Sequence, residues 1–339
     1  MSLHEPFMQR ALALAKRGEG LTRPNPPVGA VLVQNGKIIA EGFHKKAGGP
    51  HAEVNCLAAW SRAHGAGSLK SATLYVTLEP CSTTGRTSPC TDLILARGIR
   101  RVVIGAKDPN PVHAGRGIWI LRRAGVEVII GVCRAEAEAL IAPFAKRILT
   151  GMPYVTLKLA STLDGRIADA SGKSKWITGP QARAKVQELR RSADAIMVGA
   201  GTVRADNPSL LPRPAKGRAP LRVVVGSALQ ADAKVLTDEA SERTLVMNGP
   251  LKKILRELGK LGVMHVLCEG GGELAGSLVR AGLVDEFALF IAPSLIGGDG
   301  VPMVGKKGWP LAKMPLLHFQ TLEKCGKDVF IRALPVREK

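Results

Sequence analysis

The chain has 339 residues, 45% of them hydrophobic, and a formal net charge of +20. Two domains are the prior for that length, each with apolar residues enough for a core, and no apolar run approaches the roughly 18 residues of a membrane-spanning helix. The basic surplus is ten on each side of residue 150 and aromatics are only 4%, so the charge suits phosphorylated small ligands better than the concentrated, aromatic-lined stripe of a nucleic-acid binder.

Residues 1–18 read as an amphipathic helix and lack the apolar block and cleavage site of a signal peptide. Residues 28–33 and 37–41 read as a hairpin around the turn dipeptide Asn35-Gly36. Helices follow at 52–62, 89–97, 115–124 and 135–149, with strands at 73–78, 101–106 and 127–130 between them. Helical patterning breaks at 150–153, the expected domain seam. A second alternation then begins: strands at 154–160, 195–198, 221–225, 244–247, 263–268 and 286–291, and helices at 181–192, 251–261 and 272–281. The stretch 212–220 is expected to be a solvated loop. Two layered α/β domains follow from this pattern. Of the six cysteines only Cys81 and Cys90 sit in a motif; Cys56, Cys133, Cys268 and Cys325 fall in apolar runs and read as buried free thiols, which predicts a cytoplasmic protein.

His51-Ala52-Glu53, then Pro80-Cys81 and Pro89-Cys90, offer one imidazole, two thiolates and one spare carboxylate. Zinc accepts such ligands, and a catalytic site leaves its fourth position for water, whose pKa falls from about 15.7 to about 7. His-x-Glu followed by Pro-Cys and a second Cys is the zinc deaminase signature, with the glutamate moving protons. His51, Cys81 and Cys90 are therefore the expected metal ligands and Glu53 the catalytic carboxylate. Here the cysteines are nine positions apart rather than three, with Gly85-Arg86-Thr87 in the spacer.

In the second half, small or polar residues follow each probable strand, where open α/β sheets bind ligands. Gly270-x-Gly272-x-x-Ala275 fits a dinucleotide fingerprint and leads into a helix whose free N–H groups can cradle phosphate. Taken alone it is weak, because no acid stands at the expected place about 20 residues on. Asp206 follows Val198-Gly199-Ala200-Gly201-Thr202, another segment of small and polar residues directly after a probable strand.

Asn25-Pro26-Pro27-Val28-Gly29-Ala30-Val31, His51-Ala52-Glu53-Val54 and Leu78-Glu79-Pro80-Cys81 with Gly85-Arg86-Thr87 and Pro89-Cys90 resemble the deaminase half of the bifunctional deaminase/reductases of riboflavin biosynthesis. The segments 158–166, 174–178, 198–208 and 268–276 resemble the reductase half, so the likeness covers nearly the whole chain. It implies a cytidine-deaminase-like three-layer α/β/α domain over 1–150 and a dihydrofolate-reductase-like α/β domain over 151–339. It implies zinc and NADPH as cofactors. The activity implied is deamination of 2,5-diamino-6-(5-phosphoribosylamino)pyrimidin-4-one, then reduction of its ribose to ribitol. By the same resemblance Asn25, His44 and Arg86 hold the deaminase substrate. Ala160, Trp176, Thr202, Asp206, Ser227, Gly271, Gly272, Glu273, Leu274, Ala275, Gly276 and Ser277 contact NADPH, and Ser174, Arg190, Leu210, Arg213 and Glu269 hold the reductase substrate. A homodimer or higher homo-oligomer is implied, with no nucleic acid or membrane partner. The chain departs from the family pattern at Thr83, where histidine is common, and at Ser88, where proline is usual. The alternative reading is a nucleic acid editing zinc deaminase whose second half is a binding module.

Overall fold

The computed structural model describes residues 3–65, 67–84, 88–215, 219–305 and 307–337. The chain divides into two compact units, Met1–Gly151 and Met152–Lys339.

The first unit runs α1 (Glu5–Lys16), β1 (Gly29–Gln34), β2 (Lys37–Phe43), α2 (Ala52–His64), β3 (Thr73–Leu78), α3 (Cys90–Ala96), β4 (Arg101–Ala106), α4 (Arg116–Arg123), β5 (Glu127–Ile130) and α5 (Arg134–Thr150). Its sheet has the order β2-β1-β3-β4-β5. Asn35 and Gly36 both take positive φ, 51° and 71°, as the tight turn between β1 and β2 requires. β1 and β3 are antiparallel, whereas β3, β4 and β5 are parallel and joined through helices. Strand residues alternate between two cores. Ala30, Leu32, Leu74, Val76, Val102 and Ile104 face α2, α3 and α4, while Val31, Val33, Tyr75 and Val103 face α1 and α5. That is the three-layer α/β/α arrangement.

The second unit runs β6 (Tyr154–Thr162), β7 (Arg166–Ala168), α6 (Pro180–Ser192), β8 (Ala195–Gly199), α7 (Ala200–Asp206), β9 (Leu221–Val225), α8 (Lys234–Thr237), β10 (Thr244–Met247), α9 (Leu251–Lys260), β11 (His265–Cys268), α10 (Gly272–Arg280), β12 (Glu286–Ala292), β13 (Val301–Pro302), β14 (Leu317–Cys325) and β15 (Asp328–Pro335). The main sheet has the order β10-β9-β8-β11-β6-β12-β15-β14. Its first six strands are parallel and the last two form an antiparallel hairpin against β12. The parallel strands are apolar on both faces, as a sheet covered by helices on both sides demands: Leu157, Met197 and Val266 pack under α9 and α10, and Ile196, Val198 and Val224 under α7 and α8. Several elements lie outside the pattern read in the sequence, among them the short β7, α8 and β13. The segment after β8 is a short helix, α7, and the C-terminal residues form the β14–β15 hairpin. Among the described residues no helix is long and apolar enough to cross a membrane.

Candidate active sites

In the first unit, β2 and α2 set the depth of the metal-type cluster. A Cβ on Gly42 would lie 2.3 Å from the Cys56 nitrogen and 2.6 Å from the Ala52 carbonyl oxygen, so only glycine lets α2 lie this close to β2. His51 is the N-cap residue of α2 and its ring makes no capping bond to the helix. Its Nδ1 lies 3.5 Å from Cys81 Sγ and 3.4 Å from Cys90 Sγ. The three donor atoms lie within 4.8 Å of one another, and this is the group of that kind among the described residues. Tetrahedral zinc, with bonds of about 2.0–2.3 Å, sets N to S edges of about 3.5 Å, so these residues fit the ion. Cys90 opens α3, and its N–H donates to Cys81 Sγ at 3.3 Å. Hydrogen bonds from the Cys90 thiol and the His51 ring hold the Cys81 thiol well below the usual range, and the bond to Cys81 raises His51 in turn. Cys90, bonded to and buried against that sulfur, is pushed up.

Glu53 is the second residue of α2, in its first turn, and is 3% exposed. Burial pushes its carboxyl up to about 7, and the charge on Cys81 adds to the rise. It stays outside the group of three donors yet within electrostatic reach of all of them. Cys56, also on α2, is pushed up to about 12 by burial and is an inert core thiol.

Asn25 and His44 are brought together. The Asn25 Nδ2 donates to His44 Nε2 at 3.3 Å, and His44 Nδ1 donates to the Pro50 carbonyl at 2.9 Å. Burial lowers the His44 pKa, consistent with this neutral tautomer. Both of its ring nitrogens are thus used within the protein, and His44 fixes the face that Asn25 presents. Arg86 lies outside the described residues.

In the second unit the carboxyl ends of β6, β8, β9 and β11 line one edge. Glu269, just beyond β11, accepts two bonds from Arg190 of α6, 2.6 Å from Nε and 3.0 Å from Nη2, and Lys158 Nζ lies 3.8 Å away. Burial pushes Glu269 up, but Arg190 and Lys158 outweigh it and hold the carboxyl below its ordinary range. Burial lowers Lys158, against the attraction of Glu269. α6 also holds the loop after α7: Arg190 Nη1 donates to the Leu211 carbonyl at 3.4 Å and the Arg213 N–H to Gln187 Oε1 at 2.9 Å. Arg190 is thus bonded both to Glu269 and to the loop that carries Leu210 and Arg213, whose own side chain is exposed. The Leu210 side chain is 2% exposed within the core, which leaves its backbone for any ligand contact. Ser174 Oγ donates to Asp206 Oδ1 at 3.2 Å.

The dinucleotide-type segment faces α7. Gly271 N–H donates to Thr202 Oγ1 at 3.2 Å. A Cβ on Gly272 would lie 2.3 Å from the Pro302 carbonyl oxygen, so this glycine admits a crossing strap of backbone. A Cβ on Gly199 would meet nothing within 4 Å, and one on Gly271 only Thr202, so this edge is open and fits an extended dinucleotide. Leu274, Ala275 and Gly276 are buried, and Ser277 Oγ is spent on the Glu273 carbonyl at 2.8 Å. What this run leaves exposed to a ligand is the backbone N–H groups of the first turn of α10. Ala160 is half-buried on β6, Ser227 follows β9, and Trp176 is 71% exposed with the Arg183 guanidinium 4.5 Å over its ring.

Residues 153–331, more than half of the chain, match the RibD C-terminal domain. The chain belongs to the RibD family of riboflavin biosynthesis proteins. Residues 1–106 match the cytidine and deoxycytidylate deaminase zinc-binding region. The riboflavin biosynthesis protein RibD of Escherichia coli K12 is 42% identical, over 96% of this chain and 97% of that protein. The RibD of Actinobacillus pleuropneumoniae is also 42% identical, over 96% of this chain and 93% of its own. Among solved structures, form 1 of Acinetobacter baumannii RibD superposes with a TM-score of 0.87 at 38% identity, covering 99% of both chains. The diaminohydroxyphosphoribosylaminopyrimidine deaminase/5-amino-6-(5-phosphoribosylamino)uracil reductase of Thermotoga maritima gives 0.89 at 38%, covering 98% of this chain and 99% of that one. As a RibD protein the chain is a zinc deaminase joined to an NADPH-dependent reductase, a hydrolase and an oxidoreductase of riboflavin biosynthesis.

One part of this RibD deaminase site escaped the reading of the sequence. The Glu79 carboxylate, 5% exposed, accepts from the Asp108 and Gly115 N–H groups at 3.2 and 2.9 Å through Oε2 and from Ile118 N–H at 3.2 Å through Oε1. It anchors the loop from Lys107 to Gly115 close enough to Cys81 for their charges to interact: burial raises Asp108, and Cys81 adds to the rise. Ser82 Oγ and His113 Nδ1 are buried without partners. Asp108-Pro109-Asn110-Pro111 follows a parallel strand, the place where such sheets bind ligands, and that position was the available signal.

Proposed function

We propose that the first unit deaminates 2,5-diamino-6-(5-phosphoribosylamino)pyrimidin-4-one and the second reduces the ribose of the product to ribitol. The cluster of His51 Nδ1 with the two cysteine sulfurs, beside a buried Glu53, carries this reading. His51, Cys81 and Cys90 hold zinc, which when bound lowers the pKa of a coordinated water to about 7. Glu53 moves the protons at its carboxylate, taking one from the attacking water and giving one to the departing amino nitrogen. Its near-neutral pKa suits both halves of that task. Asn25, turned by His44, orients the pyrimidine, and Arg86 takes the substrate phosphate.

In the second unit NADPH supplies hydride when bound. Ala160, Trp176, Thr202, Asp206, Ser227 and the backbone from Gly271 to Ser277 hold it along the open strand edge. Lys158, Arg190 and Glu269 carry one surplus positive charge between them, which suits the substrate phosphate together with Arg213 and the Leu210 backbone. Asp206, steadied by Ser174, stands near the opened ribose carbonyl. We further propose a homodimer, which the base rate for symmetric assemblies favours. A cytoplasmic site accords with six cysteines all free.

The test pairs metal analysis with ammonia release and NADPH oxidation on the purified protein. One zinc per chain is expected. Glu53→Gln keeps the zinc and the reductase rate while ammonia release falls by about 10²–10⁴. Equal ammonia release from the variant and the parent removes Glu53 from its role.

A further inference from the structure

We propose that Arg204 reads the 2′-phosphate of the dinucleotide, and that with Ser227 it makes the second unit select NADPH over NADH. This rests on the reading above that the cofactor lies along the carboxyl edge of β8, β9 and β11.

Arg204 lies in the last turn of α7 and its side chain is exposed. The side chain folds back along its helix: Nη2 is 3.9 Å from where a Cβ on Gly201 would stand. Nη1 donates to the Ser227 and Ala228 carbonyls at 3.3 and 3.2 Å. The guanidinium is thus fastened to the backbone just beyond β9. Among the described residues no carboxylate pairs with it, and its other N–H groups have no partner. Carbonyls fix its position without cancelling its charge. A planar cation with spare donors, held in place and left un-neutralised, is matched to a phosphate monoester.

The neighbouring sequence points the same way. A carboxylate beside the adenosine ribose binds its hydroxyls and repels a 2′-phosphate, whereas an arginine there accommodates the phosphate. After β9 the chain reads Gly226-Ser227-Ala228-Leu229-Gln230-Ala231, and the first acid is Asp232. The loop bonded to the Arg204 guanidinium thus carries no acid before Asp232. Gly226 brings this loop against α7, since a Cβ there would lie 3.1 Å from the Ala200 Cβ.

The test is equilibrium binding of NADPH and of NADH by calorimetry to the full-length parent and to Arg204→Leu, Arg204→Lys and Gly271→Asp. Arg204→Leu is expected to weaken NADPH on the order of tenfold to a hundredfold, with NADH changed less than about twofold. Arg204→Lys retains part of the NADPH affinity, because it keeps the charge and loses the fork. Gly271→Asp sets a negative charge in the phosphate cradle and weakens both dinucleotides. If Arg204→Leu weakens both alike, or changes neither while Gly271→Asp weakens both, the role of Arg204 is overturned and the cofactor site stands. If Gly271→Asp affects neither, the placement of the cofactor falls and the proposal falls with it.

Discussion

The Arg190 guanidinium meets the Glu269 carboxylate at two points, Nε to Oε1 at 2.6 Å and Nη2 to Oε2 at 3.0 Å, with side chains 13% and 8% exposed. Lys158 Nζ stands 3.8 Å from the same carboxylate. Two buried cations on one anion would be costly without an anionic ligand to complete the balance. The surplus cation of this buried group is the feature on which the proposed phosphate contact rests.

Arg190→Met leaves Glu269 buried with only a distant lysine. Removing one partner of a buried pair costs about 3–5 kcal/mol. For a unit of this size each kcal/mol lowers Tm by about 2–4 °C. The second unit is expected to melt roughly 6–20 °C lower. Lys158→Met/Arg190→Met/Glu269→Gln, which leaves none of the three charges stranded, recovers much of that loss while ligand binding stays impaired. Calorimetric melting of the parent, the single and the triple variant checks this; a triple variant no more stable than the single would show that the stranded charge is not the cause.

The same pair sets a pH dependence. Because the folded Glu269 carboxyl is held below its ordinary 4.5, the unfolded chain binds the proton first as pH falls. Its contribution is fully present above 4.5 and is lost as pH drops through the lower folded value. Lys158 has the opposite sign: its lowered folded pKa makes the buried ammonium a cost wherever it is charged, relieved only on the alkaline side. Urea midpoints of the parent and of Glu269→Gln, taken from pH 7 to pH 3, are expected to differ at neutral pH and to converge in acid.

These groups illustrate what the sequence could and could not carry. His51, Glu53, Cys81 and Cys90 were legible because metal chemistry limits residue type and because strand–loop–helix contexts flank them. The hairpin at Asn35-Gly36 was legible because few dipeptides tolerate positive φ at both positions. Helix α7 was not, since Gly199 and Gly201 read as loop and seven residues hold too little period. Strand β14 was not, since its side chains are exposed on both faces and show no alternation of burial. Glu79 was seen only as part of the Glu-Pro-Cys motif, because its three partners are backbone N–H groups about 30–40 residues away, which no side-chain pattern records.

Gly42→Ala tests how the metal site is seated. The added Cβ meets backbone, not a movable side chain, at the Cys56 nitrogen and the Ala52 carbonyl. α2 must shift outward, carrying His51 and Glu53 away from the two sulfurs. Overpacking of this kind costs about 1–3 kcal/mol. The expected result is a first unit that still folds, binds zinc less tightly in a competitive chelator titration, and deaminates more slowly, with NADPH oxidation unchanged. Unaltered zinc affinity would show that the depth of the helix is not what positions the ligands.

Glu79→Gln tests the anchor beneath the Lys107–Gly115 loop. The carboxylate offers both oxygens, Oε2 to two N–H groups and Oε1 to a third. A glutamine has one oxygen. If that oxygen serves Asp108 and Gly115, its amide N–H₂ faces the Ile118 N–H, donor against donor. One stranded buried donor costs about 1–3 kcal/mol, which thermal melting of the first unit will read. The loop also brings Asp108 and His113 toward Cys81, so its loosening is expected to raise the deaminase KM more than it lowers kcat. Zinc content stays constant because none of the three ligands moves. A loss of zinc with KM unchanged would instead place Glu79 in support of Cys81, through Pro80, rather than of the loop.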